Sequence, residues 1–236
     1  MTIKSSVNRI LHPFHYEMRK AEPHDARYNL PFTRGNVDRL LYFHRMFERI
    51  ENVPGAIVEM GVGKAKSFQM ITLLALAHQR PEVIWGFDSF EGYPEVSPED
   101  ESPRNRKKGQ WKIIRADEVR PILLRAGVPA EYYDARVRIV PGFFEDVLAS
   151  VIEEMGPIAY LHLDVNLYAA YKLCLDQLFP HVAPGGIILF DEYARGNEAV
   201  KCPGAKKAID EFFANTPWRP QADSRYGKYF LVKTPS

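Results

Sequence analysis

Residues 56–67, A-I-V-E-M-G-V-G-K-A-K-S, narrow the chain to few folds. Ala56, Ile57 and Val58 form a short β-prone run after the Pro54-Gly55 turn signal, and Phe68, Met70, Ile71, Leu73, Leu74 and Leu76 follow as an apolar helical segment. A glycine turn at the carboxyl end of a parallel strand lets a ligand approach the backbone, and the helix behind it presents unsatisfied N–H groups. The stretch reads as a nucleotide-type site, or else as a plain strand-to-helix turn of an α/β protein. Lys66 stands where the third glycine of a G-x-G-x-x-G fingerprint would be, which disfavours a nicotinamide or flavin dinucleotide.

The pattern repeats down the chain. A helix over residues 36–50 precedes the first strand, and a helix over 64–79 follows it. Further strands are expected at 83–87, 136–140, 158–163 and 187–190, with helices at 116–126, 144–154, 169–179 and 204–215. Two last strands, 218–221 and 229–233, are close enough to form a hairpin. With 236 residues and 46% hydrophobic content, this is one α/β domain over residues 36–236 with attachments. Five β/α units and a hairpin imply a Rossmann-like, doubly wound, seven-stranded sheet with one antiparallel strand near the C-terminus.

Several function classes lose ground on charge and composition. A net charge of +1, from 31 basic and 30 acidic residues, gives no general attraction to nucleic acid or to an anionic membrane. The densest basic cluster, residues 104–108, adjoins an acidic run. No segment reaches about 18 consecutive apolar residues, and the N-terminus has no signal-peptide core. Two cysteines outside any C-x-x-C pair fit a reducing compartment, so the expected location is the cytoplasm. Residues 1–35, broken by Pro13, Pro23 and Pro31, form an arm: either a loose terminus or a cap or subunit contact built on Phe14, Tyr16, Tyr28 and Phe32. The polar insertion at about 97–112 is a solvated loop or a lid carrying Trp111.

Acidic residues close the strands. Asp88 ends the second strand somewhat more than 20 residues past the glycine turn, a position suited to accepting ribose hydroxyls, although any strand-ending Asp can cap a turn. Asp164 ends the fourth strand and Asp191-Glu192 the fifth. Ligands bind at such carboxyl edges, and a carboxylate at a buried strand end needs a partner. His162, two residues before Asp164, reads as a satisfied core or surface histidine and is not assigned as a base.

The segments V-E-M-G-V-G-K-A-K-S, F-D-S-F-E-G-Y-P, V-P-G-F-F, L-H-L-D-V-N-L-Y, P-G-G-I-I-L-F-D-E-Y and G-A-K-K-A-I-D-E-F-F, in this order, resemble the macrocin O-methyltransferase family. These are metal-dependent class I S-adenosylmethionine methyltransferases that act on antibiotic sugars. The resemblance implies a donor site formed by Glu59, Gly61 and Gly63 beside the methionine portion, Ser67 at the helix start, Asp88 and Ser89 at the ribose, and Gly142 and Phe143 at the adenine. It implies a magnesium-type site of Asp164, Asp191 and Glu192, with Asp164 also facing the donor. Catalysis then rests on Asp164, Asn166 and Asp191, the acceptor is a hydroxyl of a sugar or small natural product, and the chain forms a dimer.

Two positions depart from the family pattern. Glu192 is longer than the Asp found there. Asn166 replaces the Asp regarded as general base, and an amide cannot take a proton at neutral pH. These departures keep two alternatives open: a metal-independent N-methyltransferase of a small amine, and a catalytically silent cofactor-binding protein.

Overall fold

The structure, a computed structural model, describes residue 30, residues 32–193 and residues 198–235. The arm expected over residues 1–35 lies outside them apart from residue 30 and residues 32–35. Helix α1 (Arg34–Arg49) begins where the Thr33 side chain accepts the Asn36 N–H, and it buries Tyr42, Phe43, Met46 and Phe47. Then come β1 (Ala56–Met60), α2 (Lys66–Ala77), β2 (Ile84–Asp88), α3 (Ala116–Arg125), α4 (Ala130–Arg136), β3 (Val137–Pro141), α5 (Phe144–Met155), β4 (Ile158–Leu163), α6 (Tyr168–Leu178), β5 (Val182–Phe190), α7 (Glu198–Lys201), α8 (Pro203–Phe213), β6 (Gln221–Ala222) and β7 (Tyr229–Val232).

The seven strands run in the order β3-β2-β1-β4-β5-β7-β6. Strands β1 to β5 are parallel, and β7 is the reversed strand, antiparallel to both β5 and β6. The doubly wound sheet expected from the sequence is therefore present. Its winding direction switches between β1 and β4, which places the ligand crevice at their carboxyl ends. Every residue of β1 and β4 is buried, as suits parallel strands covered on both faces. Two polar residues interrupt these runs. Glu59 and His162 are paired in register and joined by a hydrogen bond of 2.8 Å.

The same register brings Gly61 against the chain leaving β4. A Cβ at Gly61, whose φ is +92°, would lie 2.0 Å from the Asp164 carbonyl oxygen. Only glycine allows the two strand ends to meet this closely.

Some elements differ from expectation. Helix α4 was not foreseen: it has no buried residue and starts straight after Pro129, so no apolar periodicity marks it. The last hairpin pairs Gln221–Ala222 with β7, not residues 218–221, because Trp218 instead packs edge-on against Phe179. Strand β5 starts five residues early, at Val182, through the Pro184-Gly185-Gly186 turn signal. The pairing absorbs this by a register shift between Ile158 and Tyr160.

The polar insertion is neither wholly solvated nor loose. Backbone bonds from Tyr93 N–H to Gln110 O (2.8 Å) and from Gly109 N–H to Tyr93 O (2.9 Å) close its stem. Asp100, in a short 3₁₀ turn, is buried and accepts the Tyr168 N–H at 2.8 Å, which caps α6. Arg106 is buried as well. Among the described residues no helix is long and apolar enough to cross a membrane.

Candidate active site

One cavity of about 930 Å³ opens at the carboxyl edge of the sheet. On one side it is lined by Gly61, Gly63, Ser67, Asp88, Ser89 and Phe143, on the other by Asp164, Asn166, Asp191 and Glu192. The structure thus gathers ten of the twelve residues singled out from the sequence. The remaining two stand behind the wall. Glu59 is fully buried beneath it, and Gly142 supports it through its N–H, 3.0 Å from the Asp88 carbonyl oxygen.

Asp88 organises the glycine side. Its Oδ2 accepts the Gly63 N–H at 2.8 Å and its Oδ1 the Phe90 N–H at 2.7 Å. Burial pushes its carboxyl above the usual range while these two bonds pull it down. Each oxygen keeps a lone pair for a ligand hydroxyl. Trp111, half exposed, stands beside Gly63 with the Lys64 ammonium 5.0 Å from its ring centre.

The opposite side is acidic. Oxygens of Asp164 and Asp191 and a ring nitrogen of His162 lie within 4.8 Å of one another. Glu192 stands just outside that group, its Oε2 accepting the Tyr171 hydroxyl at 2.5 Å. Burial and the neighbouring Asp191 raise Asp164. Burial, Asp164 and Asp191 raise Glu192 well above the usual range. Asp191 behaves in the opposite way: burial alone would raise it, but Lys228 and Arg39 hold it below the ordinary value. Lys228 Nζ donates to its Oδ1 at 2.6 Å, and an Arg39 nitrogen lies 3.4 Å from the same oxygen.

Sequence reasoning did not single out Arg39, Lys228, Tyr171 or Arg106, and it gave His162 no role in the site. For His162 a signal existed: residues two apart share a strand face, so it points the same way as Asp164. The ring is indeed buried, with Nδ1 on Glu59 and Nε2 4.0 Å from Asp191 Oδ1. The Oε2 of Glu59 has no hydrogen-bond partner among the described residues.

The profile of the macrocin O-methyltransferase (TylF) family matches residues 4–216, most of the chain. This chain belongs to that family. Curated relatives include demethyldecarbamoylnovobiocin O-methyltransferase of Streptomyces niveus, 30% identical over 69% of this chain and 60% of that protein. Another is the 8-demethyl-8-(2,3-dimethoxy-alpha-L-rhamnosyl)-tetracenomycin-C 4'-O-methyltransferase of Streptomyces olivaceus, 32% identical over 61% of this chain and 55% of the relative. The matches thus span less than two thirds of these relatives' length. Among solved structures, the O-methyltransferase NovP superposes with a TM-score of 0.69 at 28% identity, covering 84% of this chain and 81% of its own. The calicheamicin methyltransferase CalS11 gives 0.70 at 22% identity over 97% and 91%, which speaks for the fold alone. The seven-stranded sheet is that of class I methyltransferases. As a macrocin O-methyltransferase family member, the chain carries Glu192 and Asn166 at its two points of departure, and both line the cavity.

Proposed function

We propose that this chain is an S-adenosylmethionine-dependent O-methyltransferase acting on a hydroxyl of a sugar or small natural product, assisted by a divalent cation. One observation carries the reading: the acidic strand ends of β4 and β5 face the glycine turn of β1 across a single cavity. The relatives' names support it: one is the O-methyltransferase of demethyldecarbamoylnovobiocin, the other the 4'-O-methyltransferase of a dimethoxy-rhamnosyl tetracenomycin.

The residues fit both groups. For the donor, Gly61 and Gly63 keep the backbone open, and Asp88 offers free lone pairs at the end of β2. For the cation, Asp164, Asp191 and Glu192 are three oxygen donors of the kind a hard ion prefers, and among the described residues Lys228 and Arg39 pair with Asp191. Bound there, the donor supplies an electrophilic methyl group and the cation lowers the acceptor hydroxyl's pKa. The chain does the rest. Asp88 and the glycine turn fix one partner while Asp164 and Asp191 fix the other, converting a bimolecular displacement into an oriented one. With an amide at 166, a group other than residue 166 must take the acceptor's proton.

Titration calorimetry with S-adenosylmethionine tests the donor half. Wild type should bind in the micromolar range usual for enzyme substrates. Asp88→Ala should weaken binding roughly 100-fold, since two backbone donors lose a charged acceptor together with the ligand contacts. A folded wild type that ignores the cofactor would sink the proposal. Mass spectrometry with methyl α-L-rhamnoside or demethyldecarbamoylnovobiocin tests the acceptor class. Chelation should lower kcat at least ~10-fold, with magnesium restoring it. Turnover unchanged by chelator would remove the cation from the reading, and a methylated product from small amines but not from these hydroxyl acceptors would favour the second reading, a metal-independent methylation of an amine, which the Lys228 ammonium on Asp191 makes worth testing.

A further inference from the structure

Asn166 occupies the position where a proton acceptor was expected, and its surroundings dictate which way its amide points. It lies in the left-handed region, φ +62°, which asparagine tolerates better than most residues, on the turn between β4 and α6. The backbone bond from Leu167 N–H to Val165 O, 2.6 Å, closes that turn. Its Oδ1 lies 3.0 Å from an Arg106 Nη2. A guanidinium has only donors, so the atom facing it must be the carbonyl oxygen. The Cys202 sulfur is 3.9 Å from the same oxygen. Burial pushes that thiol up to about 11, so it too keeps its hydrogen.

Arg106 is itself clamped. It donates to the Lys201 carbonyl oxygen at 2.7 Å and to Cys202 Sγ at 2.9 Å, with Tyr93 close by. The insertion thereby reaches across to the turn after β4 and holds one residue. With Oδ1 engaged, the Nδ2 hydrogens point the other way. Among the described residues they have no protein partner, and Asn166 lines the cavity.

We propose that Asn166 is an acceptor-binding residue that donates its Nδ2–H to an acceptor oxygen, and that Arg106 is the positioning residue that fixes this orientation. The inference rests on methyl transfer in this cavity. Position 166 is then not a defective base but a donor, and the acceptor must present an oxygen lone pair to it beside Asp164.

Asn166→Asp is the sharpest test, because it is nearly isosteric, keeps a partner for Arg106 and would install the missing base. If the amide donates, the acceptor meets lone pairs instead of a hydrogen, and kcat/KM for methyl α-L-rhamnoside falls roughly 10-fold or more. A rise in kcat would overturn the proposal. Asn166→Ala should raise the KM for that acceptor about 5-fold, with the S-adenosylmethionine Kd unchanged. Arg106→Lys should give the same rise, and the double variant no further one; full additivity would overturn the positioning role.

A readout without turnover completes the test. In the ¹⁵N–¹H spectrum, the side-chain amide pair that vanishes in Asn166→Asp should move in Arg106→Lys with no ligand present, and identical shifts in both proteins would overturn the orientation. A wild type with no product and no cofactor binding would refute the transferase reading itself, while the amide spectrum still decides the orientation.

Discussion

Gly61→Ala is expected to destabilise the protein by roughly 4 kcal/mol, a large share of the 5–15 kcal/mol typical of a domain. The added Cβ would fall 2.0 Å from the Asp164 carbonyl oxygen, a backbone atom that cannot swing aside, at a φ of +92°. To admit it, β1 and β4 must part where Gly61 and Asp164, both lining the cavity, meet, so donor binding should fail along with stability. Gly63→Ala is the control. There the φ is +53° and the nearest atom is Trp111 Nε1 at 3.9 Å, so only about 1–2 kcal/mol of left-handed strain is expected. Urea denaturation of both variants, followed by calorimetry with the donor, makes the comparison. A Gly61→Ala protein as stable as the Gly63→Ala one would show that the strand ends have slack.

Asp191→Ala should be nearly as damaging, for an electrostatic reason. The Asp191 carboxylate is 16% exposed and accepts the Lys228 ammonium at 2.6 Å, with Arg39 3.4 Å away. Removing it leaves two partly buried cations facing each other, at about 3 kcal/mol of stability. It also removes a donor from the proposed cation site, so kcat should drop at least ~100-fold. The two losses can be separated. Lys228→Met added to Asp191→Ala relieves the stranded charge, so the double variant should be more stable than Asp191→Ala alone while remaining inactive. If both variants unfold at the same urea concentration, the stranded-charge account is wrong.

These expectations also mark what the amino-acid order could and could not reveal. Strands β1, β2, β4 and β5 were legible because a parallel strand covered on both faces is a nearly unbroken apolar run, and Asp88, Asp164 and Asp191 were legible because each terminates one. Helix α4 was not, since seven residues with no buried face leave no period to detect. The partners of the acids were illegible for another reason. Lys228 meets Asp191 from 37 residues away, and Arg106 meets Asn166 from 60, each as one basic residue among others in a polar stretch. Such pairings are made by the sheet's closure, and no local pattern encodes them. The orientation of Asn166 belongs to the same class.

The closed stem of the insertion has a practical consequence for engineering. Because Tyr93 pairs with Gly109 and Gln110, the two ends of the segment meet a few residues beyond the end of β2. The entropy of closing such a loop changes only slowly with its length, by about 0.6 kcal/mol per doubling. Residues 94–108 therefore behave as an exchangeable cassette. A library that varies them in sequence and length, while keeping Asp100 on α6 and Arg106 on Asn166, would search acceptor preference with the donor side left intact.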